Sequence, residues 1–445
     1  MGGIAPVSLF RAAARGLVTA VFALLVCLVA AQPAGADQTR SAQWQLNALD
    51  AKDAWKVSTG SGVIVAVLDS GVDAKHPDLA GQVLPGVDLV DGGDGRVDPV
   101  GHGTTVAGLI AGRADDNSGV AGVAPGAKIL PVRVLDRSNK YDDPAVVAKG
   151  VRWAVDHGAK VLNLSLGGAL RSDEIAEALR YAAAHDVVVV ACTGNVATDP
   201  SIHEVWYPAR EPGVVAVAGL SGGGAAQPSA KPAPSTTASD SAGGAAGGAG
   251  GLWTGSLTGP ETVLTAPADN LTGARPGGGY WQVQGTSFAA PLVAATASLV
   301  RAKYPTMSAA NVINRLIGTA KDLGPAGRDD EFGFGEVDPL AALREPVAEV
   351  VANPLTVAPP KGEAGKPAQS GAAPREEATE VPQEGGAAPL PASEAAGLAR
   401  ARQMADRSVP VGSSITVGLL AMLLILAAGA AGVVLHHRAR HAKRF

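Results

Sequence analysis

The chain has 445 residues, enough for about three domain-sized pieces, with 47% hydrophobic and 17% charged residues. Its 36 basic and 41 acidic residues leave a net charge of −5, which gives no basic face for nucleic acid. Two cysteines cannot build a disulfide scaffold, and 57 glycines with 31 prolines require stretches of linker.

The first 36 residues read as a secretory leader. Arg11 and Arg15 precede an apolar run over residues 17–31, and Pro33-Ala34-Gly35-Ala36-Asp37 supplies small residues for cleavage after Ala36. The run spans 15 residues, short of the ~20 that a bilayer core needs. Removal would leave Cys192 as the mature chain's lone cysteine, a small core hydrophobe by its strand context. Residues 37–62 form an N-terminal extension that includes Trp44 and Trp55. With only about 25 residues before the first buried strand, it is too short for a separate domain and is expected to pack on the body.

Residues 63–344 alternate strand and helix patterns. Apolar runs at 63–68, 128–134, 161–166, 187–191 and 214–218 suit strands buried on both faces. Helical spacing covers 145–157, and Ser172 is placed to cap the next helix, with Asp173 and Glu174 in its first turn. Residues 288–303 and 309–320 supply two more helices. The alternation predicts an α/β fold with a mostly parallel sheet and helices on both faces. The Gly/Ala-rich run 221–251 reads as a surface insertion.

Residues 345–410 are rich in Pro, Ala, Gly and Glu and predict a tether without a core. Residues 411–435 form a 25-residue run without a charge, long enough for one C-terminal transmembrane helix. The basic residues of 436–445 suit the cytoplasmic side. Together the two ends predict a single-pass plasma-membrane protein with its body outside and its C-terminus inside.

Three motifs carry the chemistry. Asp69-Ser70-Gly71-Val72-Asp73 sets a carboxylate where the first buried strand ends, the edge at which open α/β sheets bind ligands. His102, flanked by Gly101 and Gly103, opens an apolar helix. Ser287, in Gly285-Thr286-Ser287-Phe288-Ala289-Ala290-Pro291, stands at the entry to the longest helix, with Pro291 expected near its first turn. Serine needs a base within hydrogen-bond reach, and the imidazole needs a carboxylate to hold its tautomer. The order Asp, His, Ser is that of the subtilisin-type triad.

With DSGVD, HGTTVAG and GTSFAAP in place, and with NLSLGG at 163–168 and Thr193-Gly194-Asn195 as further matches, the chain resembles the subtilisin-like serine peptidases, or subtilases. The resemblance implies a subtilisin-like fold with Ser287 as nucleophile, His102 as general base and Asp69 as its orienting carboxylate. It also implies that Asn195 donates to the oxyanion, and that Ser165, Leu166 and Gly167 pair with an extended substrate backbone. The anchor, the tether and the short extension make it similar to the mycosins, membrane-anchored subtilases of type VII secretion systems. That likeness implies cleavage of exported polypeptides beside the secretion membrane complex. Two other roles stay open: a structural cap or clamp on that complex, and a general cell-surface protease.

No cofactor is expected, since hydrolysis here needs only water, and no HExxH, CxxC pair or phosphate loop occurs. Asp91, Asp94 and Asp98 miss the EF-hand spacing and predict a solvated turn, so no metal site is assigned.

Overall fold

The computed structural model describes residues 34–116, 118–196, 204–222 and 251–356. Most of the leader, most of the 221–251 insertion, the tether beyond residue 356, the 411–435 run and the basic tail lie outside the described residues. Among the described residues no helix is long and apolar enough to cross a membrane.

Three short helices, α1 (Ala34–Ser41), α2 (Trp44–Ala48) and α3 (Ala51–Trp55), lead into the body. There follow β1 (Ile64–Asp69), β2 (Val87–Asp88), α4 (His102–Ala111), β3 (Lys128–Arg133), α5 (Pro144–Asp156), β4 (Val161–Leu164), α6 (Asp173–Ala184), β5 (Val188–Cys192) and β6 (Val215–Leu220). The body closes with β7 (Leu264–Pro267), β8 (Leu271–Arg275), β9 (Gly279–Val283), α7 (Thr286–Lys303), α8 (Ala309–Gly318) and α9 (Pro339–Arg344). Seven strands form one sheet in the order β2-β3-β1-β4-β5-β6-β7, and every pairing in it is parallel.

The parallel pairing explains the unbroken apolar runs. Val65, Ala66, Val67 and Leu68 of β1 are all buried, as are all residues of β4, β5 and β6. Such strands have no solvent face on which to alternate polar residues. Ser172 caps α6 as its position predicts, accepting from the Ile175 N–H at 3.3 Å. Cys192 is buried at the end of β5.

The strand order reverses at β1. The chain lays β2 and β3 on one side of β1, then crosses to β4 on the other. Ligands of open α/β sheets bind outside the carboxyl ends of the strands at such a switch point. Asp69 is the last residue of β1 and therefore stands there. Helix α7 packs on β4, β5, β6 and β7, and its residues 286–301 are all buried. A helix apolar on all sides has to sit inside the fold.

Pro291 corrects one expectation. The helix begins at Thr286, so proline falls in its second turn and removes the N–H that would bond to Ser287 O. That carbonyl instead accepts from Ser165 Oγ at 2.6 Å, and Ser165 Oγ accepts from Asn163 Nδ2 at 2.8 Å.

The N-terminal extension packs on the body through side chains that satisfy loop backbone. The Gln43 amide exchanges two bonds with the backbone of Ala121, at 2.9 and 2.8 Å. Arg40 donates to the carbonyls of Arg113, Asp116, Ser118 and Gly119, and Trp55 Nε1 donates to Val123 O. The antiparallel hairpin β8–β9, which the sequence pattern missed, buttresses α4: Trp281 Nε1 donates to Thr105 Oγ1, which donates to Ala274 O.

Candidate active site

Two helix N-termini and three strand ends build the site. His102 is the first residue of α4, and its side chain is fully buried beside that of Asp69. His102 Nδ1 lies 2.8 Å from Asp69 Oδ1 and 2.9 Å from Oδ2, so a proton on Nδ1 is shared across the whole carboxylate. Asp69 Oδ1 also accepts from the Ser70 N–H at 2.7 Å. These bonds fix the neutral imidazole as the tautomer that leaves Nε2 basic. The approach is close enough to require glycine at 103, where a Cβ would stand 2.1 Å from Gly71 O and 3.2 Å from Asp69 Oδ1.

Asp98 holds this turn. Its Oδ1 accepts from Ser70 Oγ (2.9 Å), Val100 N (3.0 Å) and Gly101 N (2.7 Å), and its Oδ2 accepts from Thr104 N (2.8 Å) and Thr104 Oγ1 (2.6 Å). Ser70 Oγ in turn accepts from Gly103 N at 3.1 Å. The carboxylate thus ties the DSGVD strand end to the HGTT helix start, where the positive end of the α4 dipole favours it. Burial pushes the Asp98 carboxyl above its ordinary range, while the Thr104 and Gly101 donors pull it down.

The expected solvated turn therefore needs correcting. Asp91, itself exposed, pairs with the buried Arg133, and Asp94 pairs with Arg96 at the surface, but Asp98 is buried. Among the described residues no group of three or more His, Cys, Asp or Glu is placed to hold a metal ion.

Ser287 is the second residue of α7 and is 1% exposed. The next residue, Phe288, sets its ring against the His102 imidazole, with centroids 5.1 Å apart and planes tilted by 46°. The serine turn and the histidine turn are thus packed on each other. Asn195 follows β5, and its Oδ1 accepts from Thr286 N at 3.0 Å and Thr286 Oγ1 at 3.2 Å. With Oδ1 held on the start of α7, the Asn195 Nδ2 group is aimed away from it. A Cβ at Gly285 would stand 3.1 Å from Ser287 Oγ and 3.7 Å from Asn195 Nδ2, so hydroxyl and amide flank one small volume.

Ser165, Leu166 and Gly167 extend β4 beyond its last paired residue and lie beside this volume, since Ser165 Oγ reaches Ser287 O. All seven residues singled out in the sequence thus come to the carboxyl edge of β1, β4 and β5 or to the start of the helix packed on them. Thr286, Asp98 and Ser70 join them as supports.

Comparison with known proteins agrees with this geometry. The model of the subtilase family, Peptidase S8, matches residues 60–335. Fervidolysin of Fervidobacterium pennivorans is 37% identical over 68% of the chain, a match that spans 44% of fervidolysin itself. Subtilisin DY of Bacillus licheniformis is 35% identical over 62% of the chain and 88% of that protein. Among solved structures, MycP3, a protease from the type VII (ESX-3) secretion system, superposes with a TM-score of 0.54 and 30% identity, covering 68% of the chain and 88% of MycP3. MycP1 with its N-terminal propeptide removed gives 0.57 and 29%, covering 69% and 98%. With the buried Asp69–His102 pair facing the Ser287 turn, and with the family model matching from Gly60 through Gly335, the chain belongs to the subtilase family of serine peptidases.

Proposed function

We propose that the chain is a membrane-anchored serine endopeptidase of the mycosin kind, which cleaves exported polypeptides beside a type VII secretion complex. The observation that carries the chemistry is the buried Asp69–His102 hydrogen bond at the switch point, with Ser287 on the adjoining helix start. In this reaction Ser287 Oγ attacks the scissile carbonyl carbon and gives its proton to His102 Nε2. The negative charge moves to the carbonyl oxygen, where Asn195 Nδ2–H and the Ser287 backbone N–H receive it. Asp69 stabilises the imidazolium without taking its proton. His102 then protonates the leaving amine, which departs and leaves an acyl-enzyme on Ser287. Water attacks the ester, His102 accepts one of its protons and returns it to Ser287 Oγ as the acyl C–O bond breaks, and the product acid leaves and loses its remaining proton to solvent.

The secretion role is supported by the likeness to MycP3 and MycP1, and the anchor by the uncharged run at 411–435. Ser287→Ala is expected to lower peptide hydrolysis by at least about 10⁴-fold and to abolish labelling by a fluorophosphonate, with the thermal unfolding curve unchanged. Hydrolysis retained by the purified variant overturns the peptidase function. For the anchor, deletion of residues 411–445 should release the protein from the membrane fraction to the medium. A full-length chain recovered outside membranes would sink that part alone. In a strain lacking the gene, normal export restored by Ser287→Ala would instead favour the clamp.

A further inference from the structure

The substrate's side-chain preference is written in the slot between two strand ends. Strands β4 and β5 are parallel neighbours, and their continuations, Ser165-Leu166-Gly167 and Thr193-Gly194-Asn195, leave the sheet side by side. A third segment lies between them. The Trp206 N–H donates to Thr193 O at 2.8 Å, and the next residue, Tyr207, exchanges two bonds with Gly168, at 2.8 and 2.9 Å. The Trp206–Tyr207 segment is therefore stitched by backbone to both walls, Trp206 to the β5 side and Tyr207 to the β4 side.

Its indole fills the space that both walls leave. A Cβ at Gly194 would stand 2.3, 2.5 and 2.6 Å from Cδ2, Cγ and Cε2 of the ring, so the ring face rests on the Gly194 backbone. A Cβ at Gly167 would stand 3.2 Å from Trp206 Cβ and 3.4 Å from Cε3. The side chain is 2% exposed, and a ring packed this tightly cannot shift without displacing backbone on both sides. Gly194 itself has φ +102°, a left-handed conformation that resists replacement by a residue with a side chain.

A carbonyl attacked by Ser287 and received by Asn195 would sit at the mouth of this slot, since Ser165 Oγ reaches Ser287 O. With the substrate backbone laid along 165–167, as the subtilase likeness implies, the residue that owns the carbonyl would direct its side chain between the two walls. We propose that Trp206 is a specificity-determining residue that restricts this substrate position to glycine, alanine or serine. The inference rests on the peptidase function above and adds the chemical class of its substrates: polypeptides cut after a small residue.

The test uses the purified chain and peptide p-nitroanilides that share Ala-Ala-Pro and differ only in the last residue: Ala, Leu, Phe or Lys. A fluorophosphonate titration run in parallel counts reactive Ser287 independently of that residue. The native chain is expected to favour Ala over Phe by at least about 10-fold in kcat/KM, and Trp206→Gly to shift the Ala-to-Phe ratio toward Phe by about 100-fold. Phe or Leu cleaved by the native chain as well as Ala overturns the proposal, as does a chain that labels with fluorophosphonate yet cleaves no Ala peptide. If no labelling occurs at Ser287, the peptidase function itself fails. Should Trp206→Gly not fold, Trp206→Ala and the native profile still decide the matter.

Discussion

Two helix starts face each other across the site, and they are finished in opposite ways. The first turn of α4 is closed by the carboxylate of Asp98, which takes the N–H groups of Gly101 and Thr104 and two hydroxyls besides. The first turn of α7 contains no acidic residue and no side-chain cap; its Thr286 N–H goes to a neutral amide oxygen, that of Asn195. A carboxylate at the second start would oppose an anion arriving there, whereas at the first it immobilises the base. The difference teaches that an N-terminus is neutralised where it positions a side chain and kept positive where charge develops during reaction.

The strongest blow to this contrast falls at the α7 start. Asn195→Ala removes one oxyanion donor and should lower kcat by about 10²–10³-fold with KM little altered, as steady-state kinetics would record. A rise confined to KM would mean that Asn195 binds substrate and transition state alike. At the α4 start, Asp98→Asn leaves an amide NH₂ facing N–H or O–H donors. It should cost about 2 kcal/mol of stability and lower kcat by about 10–100-fold in a still-folded enzyme. Native kcat in that variant would show that the turn keeps its order without the charge.

The last effect, on stability alone, sharpens the contrast through a buried carboxyl with one oxygen that finds no such donor among the described residues. Glu336 is 3% exposed, and its Oε1 has no hydrogen-bond partner among the described residues. Burial raises its pKa from 4.5 to about 7. The folded state therefore holds a proton that the unfolded chain has lost between those values. Stability should be full below about pH 4.5 and fall as pH rises to about 7, by up to about 3 kcal/mol. Glu336→Gln should match the native chain at pH 4.5 and exceed it at pH 8 by about 2 kcal/mol, measured by denaturant titration. Equal stability at pH 8 would place Glu336 among satisfied groups.

The parts legible in the sequence share a physical cause. A strand buried on both faces has to be continuously apolar, so β1, β3, β4, β5 and β6 announce themselves, and the motif residues follow directly at their ends. β7, β8 and β9 do not. Leu264-Thr265-Ala266-Pro267 mixes polar residues and proline into a buried strand, and Gly279-Tyr280-Trp281-Gln282-Val283 belongs to a hairpin packed on α4 through Thr105. Asp69, His102 and Ser287 were readable because each carries a motif. Trp206 carries none: its place between Gly167 and Gly194 arises only when two distant strand ends are brought side by side. Asp98 is not legible, because it shares an acidic, Gly-rich loop with Asp91 and Asp94 and sequence gives no sign that one of three aspartates turns inward.

Pro291 has a consequence for how evenly the enzyme can run. In most helices a missing N–H leaves a carbonyl for water to satisfy, and the axis drifts. Here the orphaned oxygen belongs to Ser287 and is clasped by the hydroxyl of Ser165, so the serine turn is moored to the strand extension on which the proposed substrate would be laid. Any flexing of that strand carries attacker and target together, and their relative alignment survives thermal motion that would otherwise spoil it.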